Sequence, residues 1–291
     1  MNKIYSFATM LMGALAMLCG CQPSLEDTVL ELTDPDSEAY VYTFDRQEGD
    51  IQINCNRTWK ASCSEPWLEL EITKGSSGDG QWIDFMLAKN DGYQYREAVV
   101  TVTAGKAVLE IVVHQAPKMV YYLNENFDSD DLLVESELPS GWFGDGGTSL
   151  DIDGDGFGWR RWRDPDTDLT YAYSCSFQEQ LYKSLRPDNW MVTPRFKVPG
   201  AGFSVRWDSK GSNAEILGDK YEVYIADYNN GGALQLIKKL CEETTTSAET
   251  LTPHQFSLDD YVDNRICIAF HHFDSYDLAR VLITNVEVSN R

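Results

Sequence analysis

The feature that most constrains the fold is a succession of short segments in which apolar and polar residues alternate. Runs such as 97–104 and 281–289 are rich in valine, isoleucine and threonine, and clusters of glycine, asparagine and aspartate separate the runs. Alternation with a period of two places one row of side chains in a core and the other in solvent, as in antiparallel strands. No amphipathic helical pattern of several turns competes with it. The sequence therefore predicts an all-β protein.

A boundary between two β regions is predicted at Ala116-Pro117-Lys118, where proline interrupts the pattern. Residues 38–117 favour an antiparallel sandwich, and residues 120–291 have the length of a single jelly-roll sandwich. The predicted strands are 40–44, 50–55, 58–63, 67–72, 82–87, 97–104 and 107–115 in the first region, and 189–198, 202–209, 220–227, 233–240, 266–273 and 281–289 in the second.

Residues 1–20 have the pattern of a lipoprotein signal peptide. Lys3 is their only charged residue, and the apolar stretch that follows is shorter than the roughly 20 residues of a membrane-spanning helix. The segment Leu18-Cys19-Gly20-Cys21 resembles the bacterial lipobox, in which the last cysteine is acylated and becomes the mature N-terminus. The resemblance implies that Cys21 anchors the protein in a membrane. Cleavage as an ordinary secretory signal and retention as an anchor helix are the alternatives.

Residues 21–37 are polar and acidic, as expected of a linker between a lipid and a folded body. Glu26 and Asp27 loosely resemble the surface-export signal of Bacteroidetes lipoproteins, and a solvated linker is the alternative. These features together predict a lipid-anchored protein of the outer membrane or cell surface of a Gram-negative bacterium.

The formal net charge of −22 limits the partners of this chain. Loss of residues 1–20 would remove Lys3 and make the charge one unit more negative, −23. Binding to nucleic acid depends on lysine and arginine that displace counterions, so nucleic acid is excluded as a partner. High acidity favours solubility, which is the default interpretation, and in an exported protein it also suits binding of calcium through carboxylates.

The five cysteines that follow Cys21 do not form a metal motif. Cys55, Cys63, Cys175, Cys241 and Cys267 lack the close pairs that a zinc site requires. Cys55 and Cys63 flank a predicted turn between adjacent strands, so a disulfide between them is one possibility. The alternative is that the cysteines are small buried apolar residues.

The first β region resembles the BACON domain, an immunoglobulin-like module of Bacteroidetes surface proteins. The resemblance rests on Trp59, Trp67, Asn90, Arg96 and the segment Val-Val-His-Gln-Ala at 112–116, in that order. It implies a carbohydrate-binding module or a spacer. The spacer interpretation is favoured, since both tryptophans lie at positions where core residues are expected.

An alternating acidic run, Asp151-Ile152-Asp153-Gly154-Asp155-Gly156, is the strongest local signal. Its carboxylates can converge on one point, and its glycines permit the tight turn that wrapping a cation requires. The run begins like an EF-hand loop, but its twelfth position is Trp162 and not glutamate, which excludes an EF-hand. Calcium in another loop geometry remains open, with Asp164, Asp166 and Asp168 as further donors. A plain Asp-Gly turn is the alternative.

The second β region resembles the cleaved-adhesin, or choice-of-anchor J, domain. The resemblance covers nearly all of 120–291 and rests on an ordered set of segments: Asn124–Phe127, Leu138–Trp142, Asp151–Trp159, Ser174–Ser176, Pro187–Pro194 and Ile268–His272 with Asp274. It implies a calcium-stabilised jelly roll, similar to galactose-binding and MAM folds, that serves adhesion or ligand binding and not catalysis.

The resemblance also implies a set of calcium ligands. Asp151, Asp153 and Asp155 match the acidic loop of the family, and Glu125 matches an acidic residue that commonly lies beside calcium. Asn285 stands where relatives often have a carboxylate, so it would offer a neutral oxygen. Fewer charged ligands weaken calcium binding.

A ligand-binding surface is predicted near the acidic loop, where aromatic residues cluster around two arginines. Sugars stack on exposed aromatic rings, which makes Trp159, Arg160, Trp162 and Tyr171 the candidate ligand-binding residues. The predicted partner is a glycan or a host or matrix protein. A structural subunit of a surface assembly is the alternative function.

A glycan-processing enzyme is the third possibility, since carboxylates are plentiful. The sequence contains no nucleophile elbow, zinc-protease motif, P-loop or dinucleotide fingerprint. His271 and His272 are adjacent in a predicted strand and therefore point to opposite faces, so they cannot readily share one ligand. A non-catalytic protein is the prediction.

Overall fold

The computed structural model describes residues 28–34, 40–128, 135–142, 150–228 and 233–291. The predicted signal peptide, Cys21, Glu26 and Asp27 lie outside these ranges. The chain divides into two compact units, and the division falls between Lys118 and Met119. Across the described ranges, no helix has the length and apolar character needed to cross a bilayer.

The first unit contains two sheets. Its strands are β1 (Leu30–Leu32), β2 (Tyr40–Tyr42), β3 (Gln47–Cys55), β4 (Trp59–Cys63), β5 (Leu68–Leu70), β6 (Lys74–Gly75), β7 (Gly78–Leu87), β8 (Arg96–Ala104) and β9 (Ala107–Gln115). One sheet has the order β1-β3-β7-β5, and the other has the order β2-β9-β8-β4-β6. The pairing of β2 with β9 is parallel.

A single core joins the two sheets of the first unit. Its side chains include Ile53 of β3 and Phe85 of β7 from one sheet, and Val100 of β8 and Trp59 of β4 from the other. Trp59 is only 2% exposed, and Trp67 packs at the margin of the core beneath the Arg96 guanidinium, 4.3 Å from its ring centre. The two sheets therefore form a β-sandwich.

The expectation that Cys55 and Cys63 lie on adjacent strands is wrong. Cys55 ends β3 in the four-stranded sheet, whereas Cys63 ends β4 in the five-stranded sheet. The chain crosses from one sheet to the other between these strands, so the two are not hydrogen-bonded neighbours. Neither thiol forms a disulfide, and Cys55 is a buried core residue.

The second unit is also built almost entirely of strands. They are β10 (Tyr121–Glu125), β11 (Glu135–Ser136), β12 (Leu150–Asp151), β13 (Arg160–Arg163), β14 (Thr170–Cys175), β15 (Phe177–Gln178), β16 (Lys183–Ser184), β17 (Asn189–Val192), β18 (Phe196–Lys197), β19 (Ser204–Gly211), β20 (Lys220–Tyr228), β21 (Leu234–Thr244), β22 (Thr252–Ser257), β23 (Arg265–Phe273) and β24 (Arg280–Ser289). Two single-turn 3₁₀ helices cover Glu179–Leu181 and Asp259–Tyr261.

Two large sheets form the sandwich of the second unit. The seven-stranded sheet has the order β11-β13-β14-β24-β19-β22, with β10 also paired to β24. The six-stranded sheet has the order β12-β17-β23-β20-β21, with β18 also paired to β23. Trp207 of β19 packs edge-on against Phe270 of β23, with ring centres 5.6 Å apart, so these faces meet in the core. The predicted all-β, sandwich-type fold is confirmed.

Candidate functional site

The acidic run forms a loop that leaves the six-stranded sheet at β12. Asp151 is the last residue of that strand, and the loop reaches β13 at Arg160. Gly154 and Gly156 have φ angles of +72° and +83°, a conformation that glycine adopts without a Cβ clash. These turns bring together the carboxylates of Asp151, Asp153 and Asp155, whose oxygens lie within 4.8 Å of one another.

Backbone N–H groups hold the three carboxylates in place. Asp151 accepts hydrogen bonds from the amides of Gly154 and Gly156, both at 2.7 Å. Asp153 accepts from Asp155 N at 3.1 Å and from Asp188 N, outside the loop, at 2.8 Å. Each oxygen retains a second lone pair, so the loop presents several hard oxygen donors toward one point.

Electrostatics in this loop favour a cation. Partial burial raises the pKa of Asp155, the neighbouring charges of Asp153 and Asp151 raise it further, and a hydrogen bond from the Phe157 amide opposes the change. Calcium takes about six to eight oxygen ligands, often carboxylates, carbonyls and water together. The three aspartate side chains could supply part of such a shell. A bound cation would reduce the repulsion between their negative charges.

The remaining predicted calcium ligands lie elsewhere. Glu125 Oε1 accepts a hydrogen bond from Phe127 N at 2.6 Å, and burial raises the pKa of this carboxyl. Asn285 lies at a bulge of β24, with a φ of +52°, and its amide donates to Asp208 Oδ2 at 2.7 Å. In the part of the chain that is described, the only convergent group of three ligating side chains is the aspartate loop. Glu125 and Asn285 are therefore separate from the aspartate loop, and they lie on the paired strands β10 and β24.

Asp164 and Asp166 also do not join the aspartate loop. Asp164 closes its own turn, because its carboxylate accepts hydrogen bonds from Asp166 N at 3.0 Å and Thr167 Oγ1 at 2.8 Å. These bonds lower the pKa of Asp164 although partial burial would raise it. Asp168 lies 3.6 Å from the Arg163 guanidinium.

Two of the four predicted ligand-binding residues are core residues. Trp159 is 1% exposed, and its indole N–H donates to the Asn189 carbonyl at 2.9 Å. Tyr171 has no exposed surface. Their prediction as a ligand platform is wrong, because local sequence cannot distinguish an aromatic residue that closes a sandwich from one that faces solvent.

Arg160 and Trp162 remain partly exposed on β13. Arg160 donates to the Gly156 carbonyl at 3.2 Å, which ties the strand to the aspartate loop. Trp162 stacks on Tyr171 with ring centres 6.0 Å apart, and Arg280 lies over its ring at 5.6 Å. These two residues can contact a ligand at their exposed edges.

A polar network lies buried between the two sheets, and no local sequence pattern predicts it. Asn189 Nδ2 lies 3.1 Å from Ser174 Oγ, and that oxygen lies 2.8 Å from His272 Nδ1. His272 Nε2 lies 3.3 Å from Asp219 Oδ1, which also accepts from Ser176 Oγ at 2.5 Å. The side chains of this network are each at most 1% exposed: Ser174, Ser176, His272 and Asp219. The pairing of β17 and β20 with β23, together with the packing of the two sheets, brings these distant residues together.

This network contains serine, histidine and aspartate but lacks the arrangement of a hydrolase triad. In a triad, Nε2 of the histidine faces the serine and Nδ1 faces the aspartate, and the serine is open to substrate. Here Nδ1 faces Ser174, Nε2 faces Asp219, and Ser174 has no exposed surface. The network therefore serves the packing of the sandwich.

The two adjacent histidines lie on opposite faces of β23, as the strand pattern requires. His272 faces the core network, whereas His271 lies between Glu222 and Asp188, with nitrogen-to-oxygen distances of 2.9 and 2.8 Å. Asp274 pairs with Lys220 at 2.5 Å and contributes to neither histidine.

Comparison with known proteins gives relatives for the second unit. Hemagglutinin A of Porphyromonas gingivalis strain W83 is 29% identical over 201 residues, which is 60% of this chain and 9% of the relative. Gingipain R1 of the same species is 26% identical over 169 residues, 53% of this chain and 10% of the relative. The chain thus spans about a tenth of the length of these curated relatives.

Solved structures with similarity to this chain include two domains of Lys-gingipain from P. gingivalis W83. The K3 cleaved adhesin domain is 21% identical with a TM-score of 0.46, and the match covers 59% of this chain and 98% of that domain. The K1 domain is 24% identical with a TM-score of 0.45, over 57% of this chain and 96% of that domain.

A sequence profile gives the family directly. The profile of the Cleaved Adhesin Domain matches residues 120–288, which is more than half of the 291 residues and nearly all of the second unit. The chain belongs to the Cleaved Adhesin Domain family.

Proposed function

We propose that this protein is a non-catalytic adhesion protein of the bacterial surface, whose second unit binds a glycan or a host or matrix protein. The observation that carries the proposal is the family match over residues 120–288. The buried Ser174 supports a role without catalysis, because a substrate has no access to it. A structural subunit of a surface assembly is the second candidate, which the long edge strand β21 favours, since Leu236 and Ile237 on it are 47% and 52% exposed.

Calcium is the proposed cofactor, held by Asp151, Asp153 and Asp155. Three preorganised carboxylates within 4.8 Å support this part of the proposal, and backbone or water oxygens would complete the shell. A bound cation would fix the loop to β17, because Asp153 also accepts the amide of Asp188. The proposed role of calcium is therefore stabilisation of the loop beside the six-stranded sheet.

We propose that the first unit is a spacer of the BACON type between a lipid anchor at Cys21 and the second unit in the chain. The burial of Trp59 supports a spacer, since a core tryptophan is not available to a sugar. The relatives in P. gingivalis carry the names of a hemagglutinin and gingipains, which supports a location at the cell surface.

Replacement of the anchoring cysteine tests the location. We expect Cys21→Ala to release the protein from the membrane fraction, because two or more acyl chains are needed for stable attachment. Fractionation of cells followed by immunoblotting measures the change. Cys19→Ala is the matched control and should leave the protein in the membrane. A Cys21→Ala protein that stays membrane-bound would contradict the lipid anchor.

The adhesion proposal is tested with the full-length protein and immobilised targets. The targets are a glycan array and a panel of matrix proteins such as fibrinogen, fibronectin and collagen, probed in calcium and again in chelator. Saturable binding to either class supports adhesion. An absence of binding to both, together with stoichiometric co-purification of another bacterial surface protein, would favour the structural-subunit alternative.

A further inference from the structure

One face of the six-stranded sheet carries a group of aromatic and charged side chains that the core does not use. Phe270 and His272 of β23 point toward the other sheet, so His271 between them points away from it. In the register of the sheet, His271 lies opposite Trp190 of β17 on one side and opposite Glu222 of β20 on the other. We refer to this side as the outer face.

Aromatic rings cover the centre of the outer face. The rings of Trp190 and His271 stack 3.9 Å apart at an angle of 8°, and Tyr224 lies 5.9 Å from Trp190. Phe273 stacks on the other side of His271 at 5.1 Å. All four are only partly buried. Small buried side chains, among them Ala226 and Ala269, form the floor beneath Trp190 and Tyr224.

Charged groups fix this aromatic surface and also reach solvent. Glu222 lies 2.9 Å from His271 Nδ1 and 2.6 Å from Lys239 Nζ, and Asp188 lies 2.8 Å from His271 Nε2. Burial raises the pKa of Glu222, but the hydrogen bonds from Lys239 and His271 more than offset it, and the carboxylate stays charged. The side chains of Lys239 and Asp188 are 42% and 48% exposed.

We infer that the outer face binds a neutral oligosaccharide. The apolar face of a pyranose stacks on an aromatic ring, here the face of Trp190 that His271 does not cover. The sugar hydroxyls need donors and acceptors at the margin, here Lys239 and Asp188. The inference rests on the proposed adhesion function and names its ligand class and site. Rings already held by stacking and hydrogen bonds lose little conformational entropy when a ligand binds.

The charge around the outer face selects a neutral sugar over an acidic one. Lys239 is matched by Glu222 and also by Glu242, 2.8 Å away, so its positive charge is already compensated. Asp188 adds a negative charge, and the aspartate loop is linked to it through the bond to Asp153. Sialylated or sulfated glycans would meet like charges here.

The test uses the full-length protein and an array of neutral and acidic oligosaccharides. The neutral set contains galactan, xylan, mannan and glucan fragments, and the acidic set contains sialylated and sulfated chains. We expect binding to at least one neutral oligosaccharide. Titration calorimetry on that sugar should show a dissociation constant about tenfold higher or more for Trp190→Ala. Lys239→Gln should weaken binding by several fold.

A control variant and a second variant of the site distinguish a failure of the proposed site from a failure of the proposed function. Trp82→Ala, at a tryptophan 49% exposed on β7 of the first unit, is the matched control and should bind normally. If Trp190→Ala alters the circular dichroism spectrum or the melting temperature, Lys239→Gln decides between the two outcomes. The Lys239 side chain is 42% exposed, and a glutamine amide at that position can still donate to Glu222. Neutral binding that neither variant weakens would overturn the site and leave adhesion intact. Binding to acidic chains alone, or to no glycan at all, would also overturn the proposed sugar site. Binding to the panel of matrix proteins would then show whether the protein is an adhesin.

Discussion

Replacement of Asp219 by alanine is expected to lower the free energy of unfolding by about 3–5 kcal/mol, since each buried donor left without an acceptor costs about 1–3 kcal/mol. The Asp219 carboxylate accepts hydrogen bonds from Ser176 Oγ and from Ala279 N, the latter at 3.1 Å, and lies 3.3 Å from His272 Nε2. Burial lowers the pKa of His272, and this outweighs the opposing influence of Asp219. A carboxylate can only accept, so the bond to Asp219 requires a proton on Nε2 of His272. Removal of the carboxylate leaves three buried donors without an acceptor.

Urea denaturation of the full-length protein measures this loss. Asp260→Ala is the matched control, since Asp260 forms only an exposed ion pair with Lys238 at 3.6 Å, and it should change the unfolding curve little. A second variant, Asp219→Asn, keeps the shape but replaces one acceptor by a donor, and should fall between the two. An Asp219→Ala protein as stable as the control would show that water replaces the carboxylate and that the network contributes little.

Removal of calcium is expected to lower the melting temperature of the protein by roughly 5–10 °C, if free calcium is first set at about one hundred times its dissociation constant. At that ratio, a ligand bound only by the folded state contributes about 2.7 kcal/mol. The stabilisation would come from Asp151, Asp153 and Asp155, whose like charges otherwise repel one another in a partly buried loop. Differential scanning calorimetry in calcium and in chelator measures the shift.

The double variant Asp151→Asn with Asp153→Asn should lose this dependence on calcium, because neutral ligands bind the ion more weakly. Its matched control is Asp166→Asn with Asp168→Asn, two exposed residues of the neighbouring turn, which should keep the full shift. Equal melting temperatures of the unchanged protein in calcium and in chelator would contradict the calcium proposal. A shift that persists in the first double variant would place the ion elsewhere.

The strands that the sequence predicted in the first unit include strands with one buried and one more exposed face. β8 and β9, for example, alternate along their length, and every predicted segment of the first unit contains a strand. β14 was missed because its sequence, Thr-Tyr-Ala-Tyr-Ser-Cys, contains no valine or isoleucine, in contrast to β23 and β24, which are also largely buried. β13 was missed for a different reason: Arg160–Arg163 contains three arginines, and its pairing with β14 and β11 makes it a strand.

The functional candidates likewise include one that was predictable from the sequence and one that was not. The aspartate loop was predictable because its geometry is local, with two glycines in the left-handed region between three aspartates. The outer face was not predictable. Its members Trp190, Glu222, Lys239 and His271 come from four strands, and nothing in one segment signals the other three.

The sequence by itself therefore determined the all-β class, the two regions, the aspartate loop and the opposite directions of His271 and His272. Each of these depends on interactions within a few residues or on the two-residue period of a strand. Only the tertiary structure decided which tryptophans are accessible. Trp159 closes the core, whereas Trp190 lies on the outer face. Strand pairing between residues far apart in the chain makes that choice, because it sets which face of each strand the second sheet covers.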